Sequence, residues 1–219
     1  MINRTAAAIS AALTLLMFAL ATWAFFQVPD TARVPIHFGL SGAPDRWAGP
    51  LVGLFLMPVV AALTSCVMLI LPFIDPRREN LRRSLKAFGV GWVAVVTLLA
   101  LIHGLIIAVA LGRDVDAARI VPALVGILFV VIGNVLGKVR PNFSMGIRTP
   151  WALSDDGNWD KTHRFGGWIF VIGGMVMVVA AVTVSEERVR AGMFVVVLIG
   201  IVLLPLVKSY LLWRRRAQG

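Results

Sequence analysis

The stretch Asn134–Trp168, NVLGKVRPNFSMGIRTPWALSDDGNWDKTHRFGGW, decides how the chain is read. It is the longest polar interval in an otherwise apolar sequence. It holds five cations (Lys138, Arg140, Arg148, Lys161, Arg164), three acids (Asp155, Asp156, Asp160) and three tryptophans (Trp151, Trp159, Trp168). Apolar runs long enough to cross a bilayer flank it on both sides. The interval therefore reads as a structured loop on one membrane face. Loops beyond about 12–15 residues are usually functional or disordered, and this one is too aromatic for disorder.

Working outward, the composition supports a bilayer setting. The chain has 219 residues, 59% apolar and only 15% charged, with a mean hydropathy of +0.88. A soluble domain carries about 25% charged residues. A net charge of +10 would suggest nucleic acid in a soluble protein. Here it reads as basic cytoplasmic loops, and no direct nucleic-acid binding is expected. Cys66 is the single cysteine, which excludes an intrachain disulfide and a cysteine-based metal site.

Six apolar segments are expected, at about 5–28, 51–74, 87–111, 120–137, 165–184 and 191–213. About 20 residues at 1.5 Å each cross a 30 Å hydrocarbon core. The first is too long for a signal-peptide core and reads as a retained helix. The predicted fold is an all-α polytopic membrane bundle of six transmembrane helices. Fifteen of the 21 cations fall on the ends shared by both termini and the 138–164 loop. That asymmetry predicts cytoplasmic termini. The predicted organisation is an N-terminal membrane region over 1–125 and a second over 126–219.

Between the first two spans, residues 29–49 read as a turn-rich connector, because Pro29, Pro35, Gly39, Gly42 and Pro44 break both helix and strand periods. His37, Asp45 and Trp47 are its chemically interesting members. The basic run 75–86 reads as a solvated loop on anionic lipid. His103 and Asn134 are the intramembrane polar candidates, and so sparse a set argues against ion or proton coupling. Gly133 and Gly137 form a GxxxG pair suited to close helix approach.

Within the central loop, Thr149 before Pro150 predicts one helix start. Ser154 before Asp155 and Asp156 predicts a second, with the acids favourable against the helix dipole. Trp159 and His163, four apart, share a face. Trp168 reads as an interfacial anchor. His37, His103 and His163 fall outside, within and inside the membrane on this topology, so they cannot share a metal ion. Neither a hydrolytic triad nor a phosphate loop is evident. No cofactor and no enzymatic activity are expected.

Asn142, Gly146-Ile147-Arg148-Thr149-Pro150-Trp151, Leu153-Ser154, Trp159 and Thr162-His163-Arg164 resemble the signature of the SdpI family of bacterial membrane proteins. Gly133-Asn134 and Gly137-Lys138 resemble its lead-in. Pro35, His37-Phe38, Gly42, Pro44-Asp45 and Trp47 are similar to a short module of unknown function that precedes SdpI regions. Ser144, Met145 and Gly157 depart from the family pattern. The resemblance implies a multi-pass protein of the bacterial plasma membrane whose activity is immunity to a membrane-active peptide toxin. It also implies signal transduction, with a cytoplasmic repressor recruited to the protein. On that reading Asn142, Arg148, Trp151, Trp159, His163 and Arg164 form the inner partner surface, and the outer loop meets the toxin. A small transporter or export accessory is the alternative.

Overall fold

The computed structural model describes residues 2–39 and 44–218. Six helices are long and apolar enough to span a bilayer. They are α1 (Arg4–Phe25), α2 (Pro50–Ile74), α4 (Leu85–Ala110), α5 (Ala117–Leu136), α7 (Asp156–Thr183) and α8 (Glu187–Ala217). Two short helices, α3 (Arg78–Arg83) and α6 (Pro150–Leu153), join β1 (Val34–Phe38) and β2 (Pro44–Ala48) in the connections. Large apolar side chains such as Leu15, Leu63, Ile127, Val182 and Val196 lie exposed along the spans. In water they would be a liability; in lipid they are the solvated surface.

The spans form two groups. Helices α1, α2 and α4 pack together, as do α5, α7 and α8, with α4 against α5 as the seam. In the first group Met17, Ala61, Phe88, Trp92 and Val96 are buried together. In the second, α5 and α7 approach most closely, and glycines on both sides explain it. A Cβ at Gly133 would sit 2.6 Å from the Gly167 carbonyl, and one at Gly126 would sit 2.6 Å from the Gly174 carbonyl. Gly126 and Gly133 are seven residues apart on α5, as are Gly167 and Gly174 on α7, so each helix presents its two glycines on one face. The close pair is therefore Gly126 with Gly133, not Gly133 with Gly137. A Cβ at Gly137 would meet Arg164 at an ordinary 3.5 Å.

The 29–49 connector is more ordered than expected. Strands β1 and β2 pair antiparallel, Val34 opposite Ala48 and Phe38 opposite Pro44, with irregular register around His37. Pro35 and Pro44 are tolerated because a two-stranded sheet has only edges, where a missing N–H interrupts no further ladder. Val34 is fully buried and anchors the hairpin against Gly53 of α2. Gly42 lies outside the described residues.

All elements of the central loop gather at one end of the bundle. Asn3 donates to the Leu85 carbonyl (3.0 Å), Arg77 to that of Leu153 (3.0 Å), and Arg216 pairs with Asp155. Both chain ends and the 137–163 segment thus share one membrane face, with the hairpin at the other. The molecule is a polytopic helical membrane protein.

Candidate functional site

The site is the platform built by 138–164 on the ends of α2, α3, α4 and α8. The chain leaves α5 at Gly137 and makes a tight turn around Asn142, which is fully buried. Its Oδ1 accepts from the Ser144 and Met145 amides (both 2.8 Å), and its Nδ2 donates to the Arg140 carbonyl (2.7 Å). One side chain thereby satisfies three backbone groups that no regular structure would serve.

A bracket from the 75–84 segment holds this turn from the side. Asp75 Oδ2 accepts from the Phe143 amide (3.0 Å) and from the Ser144 hydroxyl. Asn80 donates to the Pro141 carbonyl (2.9 Å), and Ser84 Oγ accepts from the Arg140 amide (2.9 Å). Arg77 adds a cation–π contact 5.4 Å from the Phe143 ring centre. The run expected as a solvated loop is therefore a helical buttress with Leu81 fully buried beneath it. Its arginines alternate with the polar groups that hold the platform, and composition alone shows only the charge.

Behind the turn, Trp159 and His163 rise from the first turns of α7. Their rings stack at 3.9 Å and 18°, as their four-residue spacing permits, and both are fully buried. Trp159 Nε1 donates to the Val139 carbonyl (2.7 Å). His163 Nδ1 donates to the Trp159 carbonyl (2.9 Å), and Nε2 accepts from the Ile147 amide (2.9 Å). One ring nitrogen donates and the other accepts, which requires the neutral imidazole. Gly146 passes directly over the pair with φ +106°. A Cβ there would fall on His163 Nε2 and 3.3 Å from Trp159 Cζ2. Only glycine combines that backbone angle with that approach.

Thr149 caps α6 by accepting from the Ala152 amide (3.1 Å), with Pro150 at the first helical position. The α7 cap is Asp155, whose Oδ1 accepts from the Gly157 amide (2.8 Å). The expected cap, Ser154, instead closes α6. Arg216, hydrogen-bonded to the Asp155 carboxylate, holds its pKa below the ordinary value. Under α6 runs a buried chain of polar groups. Thr149 Oγ1 meets Ser209 Oγ (2.6 Å), and Asn158 Oδ1 accepts from Ser209 (3.0 Å) and Thr162 (2.9 Å). Asn158 Nδ2 donates to the Ser209 carbonyl (2.9 Å). This network locks α8 to the platform, and Ser209 carries no signal in an apolar sequence context.

The six inner candidates therefore divide by depth. Asn142, Trp159 and His163 are buried supports. Arg148 and Arg164 are exposed, and Trp151 is half-buried. Arg148 Nη1 also donates to the Phe143 carbonyl (2.6 Å). Trp151 joins Tyr210 (5.1 Å) and Trp213 (6.2 Å) in an aromatic cluster. At the opposite end, His37 Nδ1 lies 2.6 Å from Asp45 Oδ1, both well exposed, and Trp47 is 44% exposed. The two intramembrane polar residues each bond to a backbone carbonyl, His103 to Leu54 (3.0 Å) and Asn134 to Val130 (2.8 Å).

A membrane bundle with a folded platform at one end and a hairpin at the other is thus the class of protein. Comparison with known proteins adds what its parts are similar to. The SdpI/YfhL protein family model matches residues 138–209, which covers the platform and most of α7 and α8. A domain of unknown function, DUF1648, matches residues 12–62, which covers the hairpin stretch with the adjoining parts of α1 and α2. The chain thus carries an SdpI-family region behind that module, and it is a multi-pass protein of the bacterial cell membrane. It is 25% identical over 177 residues to the protein named Immunity protein SdpI of Bacillus subtilis (strain 168), covering 77% of this chain and 80% of that one. No solved structure matches.

Proposed function

We propose that this chain is a membrane immunity protein that protects its cell from a membrane-active peptide and signals the encounter through the 138–164 platform. The observation that carries the reading is the similarity to a named immunity protein over most of both chains. The cation asymmetry supports a cytoplasmic platform with cytoplasmic termini. On this reading the peptide is met from outside, by the hairpin with His37, Asp45 and Trp47 or by helix surfaces in the bilayer. A cytoplasmic repressor docks on Arg148, Arg164 and the edge of Trp151, and Asn142, Trp159 and His163 hold that surface in shape.

Helix α7 supports a direct route between the two faces. It runs unbroken for 28 residues from the platform to the far end. There Arg119 Nη1 donates to the Ala181 and Val182 carbonyls (both 3.3 Å). A peptide that favours one packing of α7 against α5 shifts the platform only by its differential affinity, typically about 1–3 kcal/mol. We also retain the division into 1–125 and 126–219, a boundary inside α5, as the proposed organisation.

The test is expression in peptide-sensitive bacteria challenged with a panel of membrane-active peptides. Raised survival against at least one peptide is expected, and unchanged survival across the panel overturns the reading. Arg148→Glu with Arg164→Glu is expected to keep survival while abolishing repressor co-purification.

A further inference from the structure

At the end opposite the platform lies a cavity of about 290 Å³ between the hairpin and the starts of α5 and α8. Phe38, Pro122 and Phe194 give it an apolar lining, and Arg190 contributes the buried cation. Arg190 is only 6% exposed. Its Nε donates to the Ala118 carbonyl (3.3 Å), and Nη1 to those of Val184 (3.0 Å) and Ser185 (3.5 Å). Two of the three bonds are long for N–H···O. Among the described residues, Nη2 makes no hydrogen bond and no carboxylate pairs with the guanidinium.

A buried charge is normally paired, because taking it out of water is costly. Carbonyl dipoles offset part of that cost here and leave one face of a planar fork open to the cavity. Carboxylate is the group that best meets this cation, as a charge-assisted acceptor for the N–H groups of Nη2, the one guanidinium nitrogen without a partner among the described residues. The acid on the lining, Glu187, is exposed, so water and salt screen it more than they screen the buried cation. The volume is at the low end of ligand cavities. It fits one terminal residue, not a folded segment.

We propose that this cavity receives the C-terminal residue of an apolar peptide. Its α-carboxylate lies on Arg190, and its side chain lies against Phe38, Pro122 and Phe194. The inference rests on the immunity reading for the peptide's identity and assigns that peptide's point of contact. It also couples the occupant to α7, because Arg190 holds the Val184 and Ser185 carbonyls that follow that helix.

The experiment is equilibrium binding to the full chain in lipid nanodiscs. The probes are acetyl-leucyl-leucine as the free acid, the same peptide as its amide, and octanoate. The acid is expected to bind, and the amide to bind about tenfold more weakly or worse, as loss of a charged hydrogen-bond pair requires. Arg190→Gln and Ala191→Leu are both expected to lose the acid. The second variant fills the cavity while keeping Arg190 itself, so it reads the site even where the first misfolds. No binding to the native chain, equal binding of acid and amide, or undiminished binding to Ala191→Leu overturns the proposal. Octanoate binding as tightly as the peptide acid overturns the peptide source. Since the readout is binding, a null result beside intact protection refutes this site alone. Binding without protection refutes the immunity reading.

Discussion

Replacing Gly146 by alanine tests the platform at its tightest point. The residue sits at φ +106°, where an L side chain costs about 1–3 kcal/mol in backbone strain. The added Cβ also falls on His163 Nε2, the atom that accepts the Ile147 amide. Moving the ring away breaks that bond and leaves a part-buried donor unpaired, another 1–3 kcal/mol or so. Together the expected destabilisation is about 2–6 kcal/mol, confined to the segment that Asn142, Asp75 and His163 hold. The spans do not depend on this contact and are expected to insert normally. Hydrogen exchange of the 139–149 amides in detergent or nanodiscs reads the effect. Two kcal/mol of local destabilisation raises exchange by a factor of about 30. The control is Gly192→Ala in α8, where a Cβ meets nothing within 4 Å and helix propensity improves by up to about 1 kcal/mol. Unchanged exchange at 139–149 in Gly146→Ala would refute the reasoning.

Further expectations concern the supports and the seam. Gly133→Leu is expected to separate α5 from α7 and lower the thermal midpoint by several degrees, whereas Gly137→Ala is tolerated; equal behaviour would contradict the close-packing assignment. Asp75→Asn puts an amide nitrogen either beside the Arg77 amide or beside the Phe143 amide and Ser144 hydroxyl and is expected to cost about 1–3 kcal/mol, read as faster exchange at Arg77 or at 143–145. Trp159→Phe keeps the stacking but strands the buried Val139 carbonyl, again about 1–3 kcal/mol, measured by local exchange around 139. Asp155 has its pKa lowered by Arg216, so the pair stabilises the α7 start above the ordinary carboxylate value of 3.8 and loses that contribution as pH falls through the lowered value. Arg216→Gln is expected to flatten the acid limb of a pH–stability curve measured by tryptophan fluorescence.

The spans were legible because bilayer solvent demands long apolar runs, and nothing else in a chain of this composition explains them. Thr149 with Pro150 was legible because the pair has one common use. Ser154 and Asp155 were not separable, since either can cap and only the end of α6 decides between them. Gly126 hid in an apolar run seven residues before Gly133, where a GxxxG search does not look. Trp159 and His163 were correctly read as sharing a face. That the face turns inward depends on Gly146 crossing it, a tertiary fact. Asp75, Asn80 and Ser84 are masked by the arginines around them, and Arg190 is one more cation in the charged run 186–190. Asp75, Asn80 and Ser84 each answer to a partner more than 50 positions away.

The central claim is that a folded platform faces the cytoplasm. Lys161 is exposed on it, so a Lys161→Cys variant with Cys66→Ser offers one thiol for labelling. A membrane-impermeant maleimide is predicted to label it in inverted membrane vesicles and not in intact spheroplasts. Labelling in spheroplasts and protection in inverted vesicles would contradict the account.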